Sequence, residues 1–239
     1  MNAPFFYIAS YEASQQQVML DETNSKHAIQ VLRLKKGDAI LLTDGCGHLI
    51  NGIIADEHRK ACTVQIESVE FSVRPDDPVI LAVSLLKNTN RFEWLLEKAT
   101  ELGVSRIVPL ICERTEKETM RIDRLQAVLV SAMLQSQQCW LPALDSPQPF
   151  SYLAHLKETA SNCCIAYCGA VSKIPLAAWK ILPGASLVCI GPEGDFTADE
   201  QAEAAANGFT TVSLGTTRLR TETAAMVASA LLCQRATLH

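Results

Sequence analysis

Apolar and polar positions along the chain follow two different rhythms. In the first part they come as short alternating runs at 5–8, 39–43, 48–55 and 61–69, the period-two pattern of half-buried strands. Asp44-Gly45 and Asn51-Gly52 punctuate these runs as turn or bulge dipeptides. One helix is predicted among them, over about 22–32, where Ala28, Ile29, Val31 and Leu32 supply an apolar face. Arg74-Pro75-Asp76-Asp77-Pro78 then reads as a linker. Beyond it, strands at 79–86, 106–111, 163–168, 186–190 and 210–214 alternate with helices at 91–102, 121–138, 198–206 and 222–234. Phe92, Leu95, Leu96, Ala99 and Leu102 share one helical face, which stops at Gly103 as a C′ residue. Strands that are apolar throughout and alternate with helices predict an α/β fold with a parallel sheet covered on both faces. The expected organisation is a small β-rich domain at 1–75 and an α/β domain at 76–239.

In open parallel sheets, ligands bind beyond the carboxyl ends of the strands. The usual nucleotide fingerprints are absent from these loops: there is no Gly-x-x-x-x-Gly-Lys, and Gly45-Cys46-Gly47 is followed by Ile50 where a third glycine is needed. Gly-x-Ser-x-Gly and His-Glu-x-x-His are missing too. Two other loops carry the candidate chemistry. In the first, the strand ending at Ile190 runs into Gly191-Pro192-Glu193-Gly194, a fixed turn of bare backbone suited to close approach by a flat ligand. Thr197-x-x-Glu200 then forms a capping box that starts a helix. A tight turn without a ligand explains this loop equally well on its own. In the second, Leu214-Gly215 leads through Arg218, Leu219, Arg220 and Thr221 to Glu222 at the start of the last helix. Free N–H groups and the helix dipole favour anions there, so arginines at that end point either to an anionic guest or to an Arg–Glu ion pair.

Composition narrows the class. With 48% apolar and 20% charged residues among 239, the chain is a globular protein and not a disordered one. Its nine cysteines lie mostly in apolar stretches, as buried thiols of a reducing compartment do. No Cys-x-x-Cys pair occurs and histidines number five, so no metal site is expected. The first residues have no basic stretch and no apolar run approaches the roughly 18 residues of a membrane span, so a cytoplasmic protein without a membrane partner is expected. The net charge of −5 does not favour a nucleic-acid partner. Residues 26–37 nonetheless carry Lys26, Arg33, Lys35 and Lys36 with no acid, either a phosphate-binding footprint or a solvated helix end.

The two loops together, Gly191-Pro192-Glu193-Gly194 and Leu214-Gly215 with Leu219-Arg220-Thr221-Glu222-Thr223, resemble the C-terminal signature of SPOUT-class RNA methyltransferases and, more specifically, of the RsmE family. The resemblance covers nearly the whole chain. His27 with Val31-Leu32-Arg33 and Gly37 is similar to the family's pattern in a PUA-like β-barrel; Lys98-Ala99-Thr100-Glu101-Leu102-Gly103, Pro109, Gln135-Ser136 and Pro142 are similar to its central motifs. The resemblance implies methylation of N3 of one uridine in 16S rRNA of the small ribosomal subunit, with S-adenosylmethionine as cofactor. It also implies a homodimer and a deep trefoil knot in the C-terminal domain. Carried onto this sequence, Ile190, Gly191, Pro192, Gly194, Leu214, Gly215, Leu219 and Thr221 would hold the cofactor. Arg220 would stabilise developing negative charge, Glu222 or Glu193 would accept or orient the proton leaving N3, and Lys26, Arg33, Lys35, Lys36 and Arg218 would hold RNA. His27 reads more simply as an ordinary helix histidine. The family usually has glycine where this chain has Asp195 and arginine where it has Thr217 and Gln138, changes that bear on RNA contacts more than on the cofactor loops. The competing readings are a SPOUT enzyme acting on another rRNA or tRNA nucleotide, and an RNA-binding homologue without catalysis.

Overall fold

A computed structural model describes residues 3–236 and divides the chain into two compact units, one of residues 3–74 with 133–141, the other of 75–132 with 142–236.

The first unit contains β1 (Phe5–Tyr7), β2 (Gln17–Met19), α1 (Glu22–Lys26), β3 (Ala39–Thr43), β4 (His48–Asp56) and β5 (Thr63–Phe71). They form one sheet in the order β1-β3-β4-β5-β2, parallel between β1 and β3 and antiparallel elsewhere. Inward residues of alternating strands, among them Phe6, Ile40, Leu42, Ile50, Ile54 and Val64, close around Ala28 as one core. Asn51-Gly52 is a β-bulge inside β4, where a Cβ on Gly52 would come within 2.6 Å of Val64. Asp21 caps α1 by accepting from the Asn24 N–H at 2.7 Å. The predicted single helix is divided: α1 passes directly into a π-helical turn over His27–Val31, and Arg33 ends it with φ of 58°. The return segment 133–141 brings Trp140, whose Nε1 donates to the Ser72 carbonyl at 2.8 Å.

The second unit runs β6 (Val79–Ser84), α2 (Thr89–Glu101), β7 (Arg106–Ile111), α3 (Ile122–Gln135), β8 (Ala143–Leu144), β9 (Gln148–Pro149), α4 (Leu153–Lys157), β10 (Asn162–Ala166), β11 (Ile174–Pro175), β12 (Ser186–Ile190), α5 (Ala198–Ala206), β13 (Thr210–Ser213) and α6 (Thr221–Ala236), the last turn of α3 belonging to the return segment. All its strand pairs are parallel, in the order β11-β13-β10-β12-β6-β7-β8, with β9 also on β7. β6 and β12 are buried at every position, which is why they lack alternation in the sequence. Ile80, Ala82, Leu187 and Cys189 face Leu153 of α4, Ala204 of α5 and Phe196 in the loop before α5. α6 packs against β6, β12 and α2. Gly103 takes φ of 89° at the end of α2, and the Val104 N–H returns to the Ala99 carbonyl at 3.0 Å, the expected C′ stop. No helix among the described residues is long and apolar enough to cross a membrane.

Candidate active site

Three neighbouring strands, β13, β10 and β12, end side by side, and the loops that leave them enclose a cavity of about 430 Å³ in the second unit. That size suits a nucleoside-scale ligand. The loop after β10 supplies Tyr167, Cys168 and Lys173; the loop after β12 supplies Gly191, Pro192, Glu193 and Asp195; the loop after β13 supplies Leu214 to Leu219. Buried Ile190 and Val212 form apolar walls.

Main-chain contacts tie these loops together. The Thr221 hydroxyl, buried at the start of α6, donates to the Gly191 carbonyl at 2.9 Å. Gly191 is required by packing: a Cβ there would sit 3.0 Å from the ring of fully buried Phe196. Gly215 has φ of 133° and open space around it, so its main chain is left bare at the cavity. Asp195 joins two loops by accepting from the Cys168 N–H at 2.9 Å, and it also accepts from the Phe196 N–H at 2.9 Å. Lys173 donates to the carbonyls of Cys168 and Gly169 at 3.1 and 2.8 Å. Burial, followed by the Asp195 charge, pushes the Cys168 thiol up, so this cavity thiol stays protonated.

Beside the cavity lies a charged cluster centred on Arg91, in the first turn of α2. Its guanidinium bonds Glu193 at 3.0 Å and lies 3.7 Å from Glu222. A cation in the first turn of a helix opposes the dipole, and the two carboxylates offset that. Glu222 is 7% exposed, and its Oε2 is buried without a hydrogen-bond partner. Such an oxygen is costly to leave unpaired, and Glu222, nominated from sequence, lies outside the cavity lining.

Of the residues nominated from sequence, Ile190, Gly191, Pro192, Leu214, Gly215, Leu219 and Thr221 line the cavity, as do Glu193 and Arg218. Gly194 does not line it and faces the Arg114 side chain, which donates to its carbonyl at 2.7 Å. Arg218 donates to the Glu193 carbonyl at 3.3 Å. Arg220 is exposed outside the lining, its carbonyl accepting the first turn of α6 from Ala224 at 2.8 Å. Glu222 pairs with Arg91 and not with Arg220. Lys26, Arg33, Lys35 and Lys36 lie exposed in the first unit, Lys26 in an ion pair with Glu22 at 2.7 Å. His27 sets its ring against Phe6, 5.6 Å between centroids. Arg91, Cys168 and Lys173 went unnominated. Arg91 follows the carboxyl end of β6, so the strand-end rule extended to every loop of the sheet would have found it. Among the described residues, no group of three or more His, Cys, Asp or Glu is placed to hold a metal ion.

A family model described as an RNA methyltransferase domain matches residues 74–233, and one described as an RNA methyltransferase PUA domain matches 20–67. Ribosomal RNA small subunit methyltransferase E of Synechocystis sp. is 32% identical over 214 residues, covering 87% of this chain and 70% of the relative. The protein of the same name from Mycobacterium tuberculosis is 28% identical over 239 residues, covering 95% and 90%. Among solved structures, a probable rRNA-methyltransferase from Porphyromonas gingivalis is 33% identical with a TM-score of 0.88, covering 98% of this chain and 97% of that one. Ribosomal RNA small subunit methyltransferase E from Neisseria gonorrhoeae, solved bound to S-adenosyl methionine, is 27% identical with a TM-score of 0.87, covering 98% of each chain.

Proposed function

This chain belongs to the ribosomal RNA small subunit methyltransferase E family of RNA methyltransferases, and from that premise we propose that it methylates N3 of one uridine in 16S rRNA with S-adenosylmethionine as cofactor. The observation that carries this reading is the cavity at the ends of β10, β12 and β13, walled by bare main chain and carrying the Glu193 carboxylate in its lining.

The residues present fit the cofactor. The main chain at Ile190, Gly191, Leu214 and Leu219 offers N–H and C=O groups beside apolar walls, the arrangement that holds a planar heterocycle. When bound, S-adenosylmethionine supplies an electrophilic methyl carbon. The protein's own task is to make uracil N3 a nucleophile, because the neutral imide nitrogen carries a proton. In this reading Glu193, in the cavity lining, takes that proton, and Glu222 orients it through Arg91, which pairs with both carboxylates. Arg220 at the mouth of α6 stabilises the negative charge that develops on the base. The target base must be unstacked to enter, which a single-stranded segment permits at low cost. Lys26, Arg33, Lys35 and Lys36 hold phosphates of the same RNA, as does Arg218 in the cavity lining. The reading carries with it a homodimer acting in the cytoplasm and a knotted C-terminal domain, as the family resemblance implies.

The test is methyl transfer from isotope-labelled S-adenosylmethionine to small ribosomal subunits lacking the modification, followed by nucleoside mass spectrometry and mapping of the site. One 3-methyluridine in 16S rRNA is expected; label at another nucleotide would reassign the target. Glu193→Gln is expected to lower turnover more than tenfold while cofactor affinity measured by calorimetry is retained.

A further inference from the structure

The sheet presents a second cavity along the same carboxyl edge. It measures about 490 Å³ and lies between the loop after β6 and the loop after β7. In the strand order, β6 and β7 continue directly from β12, so the two cavities adjoin along the edge. Residues 89–92 link them, with Arg91 turned to Glu193 and Glu222 while Thr89, Asn90 and Phe92 line the second cavity.

The lining has two parts. The floor is apolar and buried, formed by Leu85, Leu86, Phe92 and Leu125. The rim is cationic, with Lys117, Arg121 and Arg124. The only acid in the lining, Glu93, is neutralised by Arg124, whose nitrogens lie 2.6 and 2.8 Å from its two oxygens. Lys117 donates to the Thr89 hydroxyl at 2.7 Å, and neither it nor Arg121 meets a carboxylate among the described residues. Two uncompensated cations over an apolar floor are notable in a chain of net charge −5. The start of α2, capped by Asn88, opens on the same space and adds its dipole to theirs.

We propose that this cavity seats a nucleotide of single-stranded RNA next to the methylated one, with its phosphate on Lys117 and Arg121 and its base on the floor made by Leu86 and Phe92. The inference rests on the reading of the chain as an RNA methyltransferase. A cavity of this size admits one unstacked nucleotide and excludes a duplex, in which bases remain paired and stacked. The cations fix register without reading sequence, and the floor takes any base by its face. Every residue of this site belongs to the second unit.

The experiment compares wild type with Lys117→Ala, Arg121→Ala, the double variant and Arg121→Lys, using small subunits lacking the methyl group at several salt concentrations. Lys117 and Arg121 lie toward the surface, so unchanged melting is expected and is checked first. Each alanine variant should raise KM for the subunit roughly tenfold, with the loss in KM and not in kcat. The log–log salt dependence should flatten by about one unit per cation removed, and Arg121→Lys should restore it. Calorimetric affinity for S-adenosylmethionine should not move. An unchanged KM and salt slope in the double variant would overturn the proposal. So would a loss that appears only as a change in sedimenting mass, since that assigns the cavity to a protein contact. Failure of the functional reading has a different signature: wild type then transfers no methyl to subunits, and the salt slope for binding of a short oligouridylate still decides the cavity.

Discussion

Asp195 holds its backbone at φ of 66°, a left-handed conformation that costs a residue with a Cβ about 1–2 kcal/mol. Its carboxylate offsets that cost by accepting from the Cys168 and Phe196 N–H groups. Glycine, usual at this place in the family, takes the conformation freely but cannot tie the loop after β10. Asp195→Ala is therefore expected to weaken S-adenosylmethionine binding about tenfold, and Asp195→Gly less, by calorimetry; equal affinities would remove the tie from the argument. The two cavity glycines resist substitution for different reasons. Gly191→Ala pushes into Phe196 and should cost about 1–3 kcal/mol of stability, whereas Gly215→Ala meets no atom but forces a residue with a Cβ to φ of 133°, at about 1–3 kcal/mol. Urea unfolding of both variants checks the two losses. Arg220→Ala should lower turnover more than tenfold with melting unchanged, since its exposed guanidinium supports nothing in the fold. Turnover like wild type would discard its role.

α5 shows how much one element can hang on its first turn. Thr197 and Glu200 complete the capping box, and the second oxygen of Glu200 accepts from the Glu113 N–H at 2.8 Å, fastening the segment after β7. Thr197→Ala should cost about 1 kcal/mol. Glu200→Ala should cost more, because it strands the buried Thr197 N–H and the part-buried Glu113 N–H; equal losses in denaturant unfolding would refute that. The capping box, the Gly103 stop and the long buried strands were all legible in the sequence, each having a chemical signature several residues long. The short elements were not. β2, β8, β9 and β11 have two or three residues apiece, too few to show a period, and they exist because a neighbouring strand offers them hydrogen bonds. The π-helical turn at His27–Val31 keeps the apolar face of an ordinary helix while adding a residue to the turn, so the pattern alone read as one helix. The Arg91 cluster was illegible for another reason: its acids come from a loop and a helix start far along the chain, and only the strand order brings them to it.

At the scale of the molecule, the nine free thiols set a limit on the alkaline side. Burial pushes Cys112 and Cys233 up to about 12 from an ordinary 9.0, and Cys164 and Cys189 rise as well. The folded protein keeps protons that the unfolded chain releases above about pH 9, so stability is full below that pH and falls as pH climbs toward 12, by up to ~1.4 kcal/mol per unit per thiol. Urea midpoints measured under reducing conditions should drop between about pH 9 and about pH 11, and a level profile would show that the thiols ionise without unfolding. The strand order has a temporal consequence too. β6 is flanked by β7, made soon after it, and by β12, whose Ser186 pairs with Val79. As the chain emerges from the ribosome, one edge of β6 has no partner until β12 follows α2, α3 and α4 out of the exit tunnel. During that interval Leu81 and Val83, fully buried at the end, are open to chaperones and to other nascent chains, and pairing over such separation is slow. A chain released before Ser186 should thus be held by chaperones or aggregate, while one released after β13 should escape both.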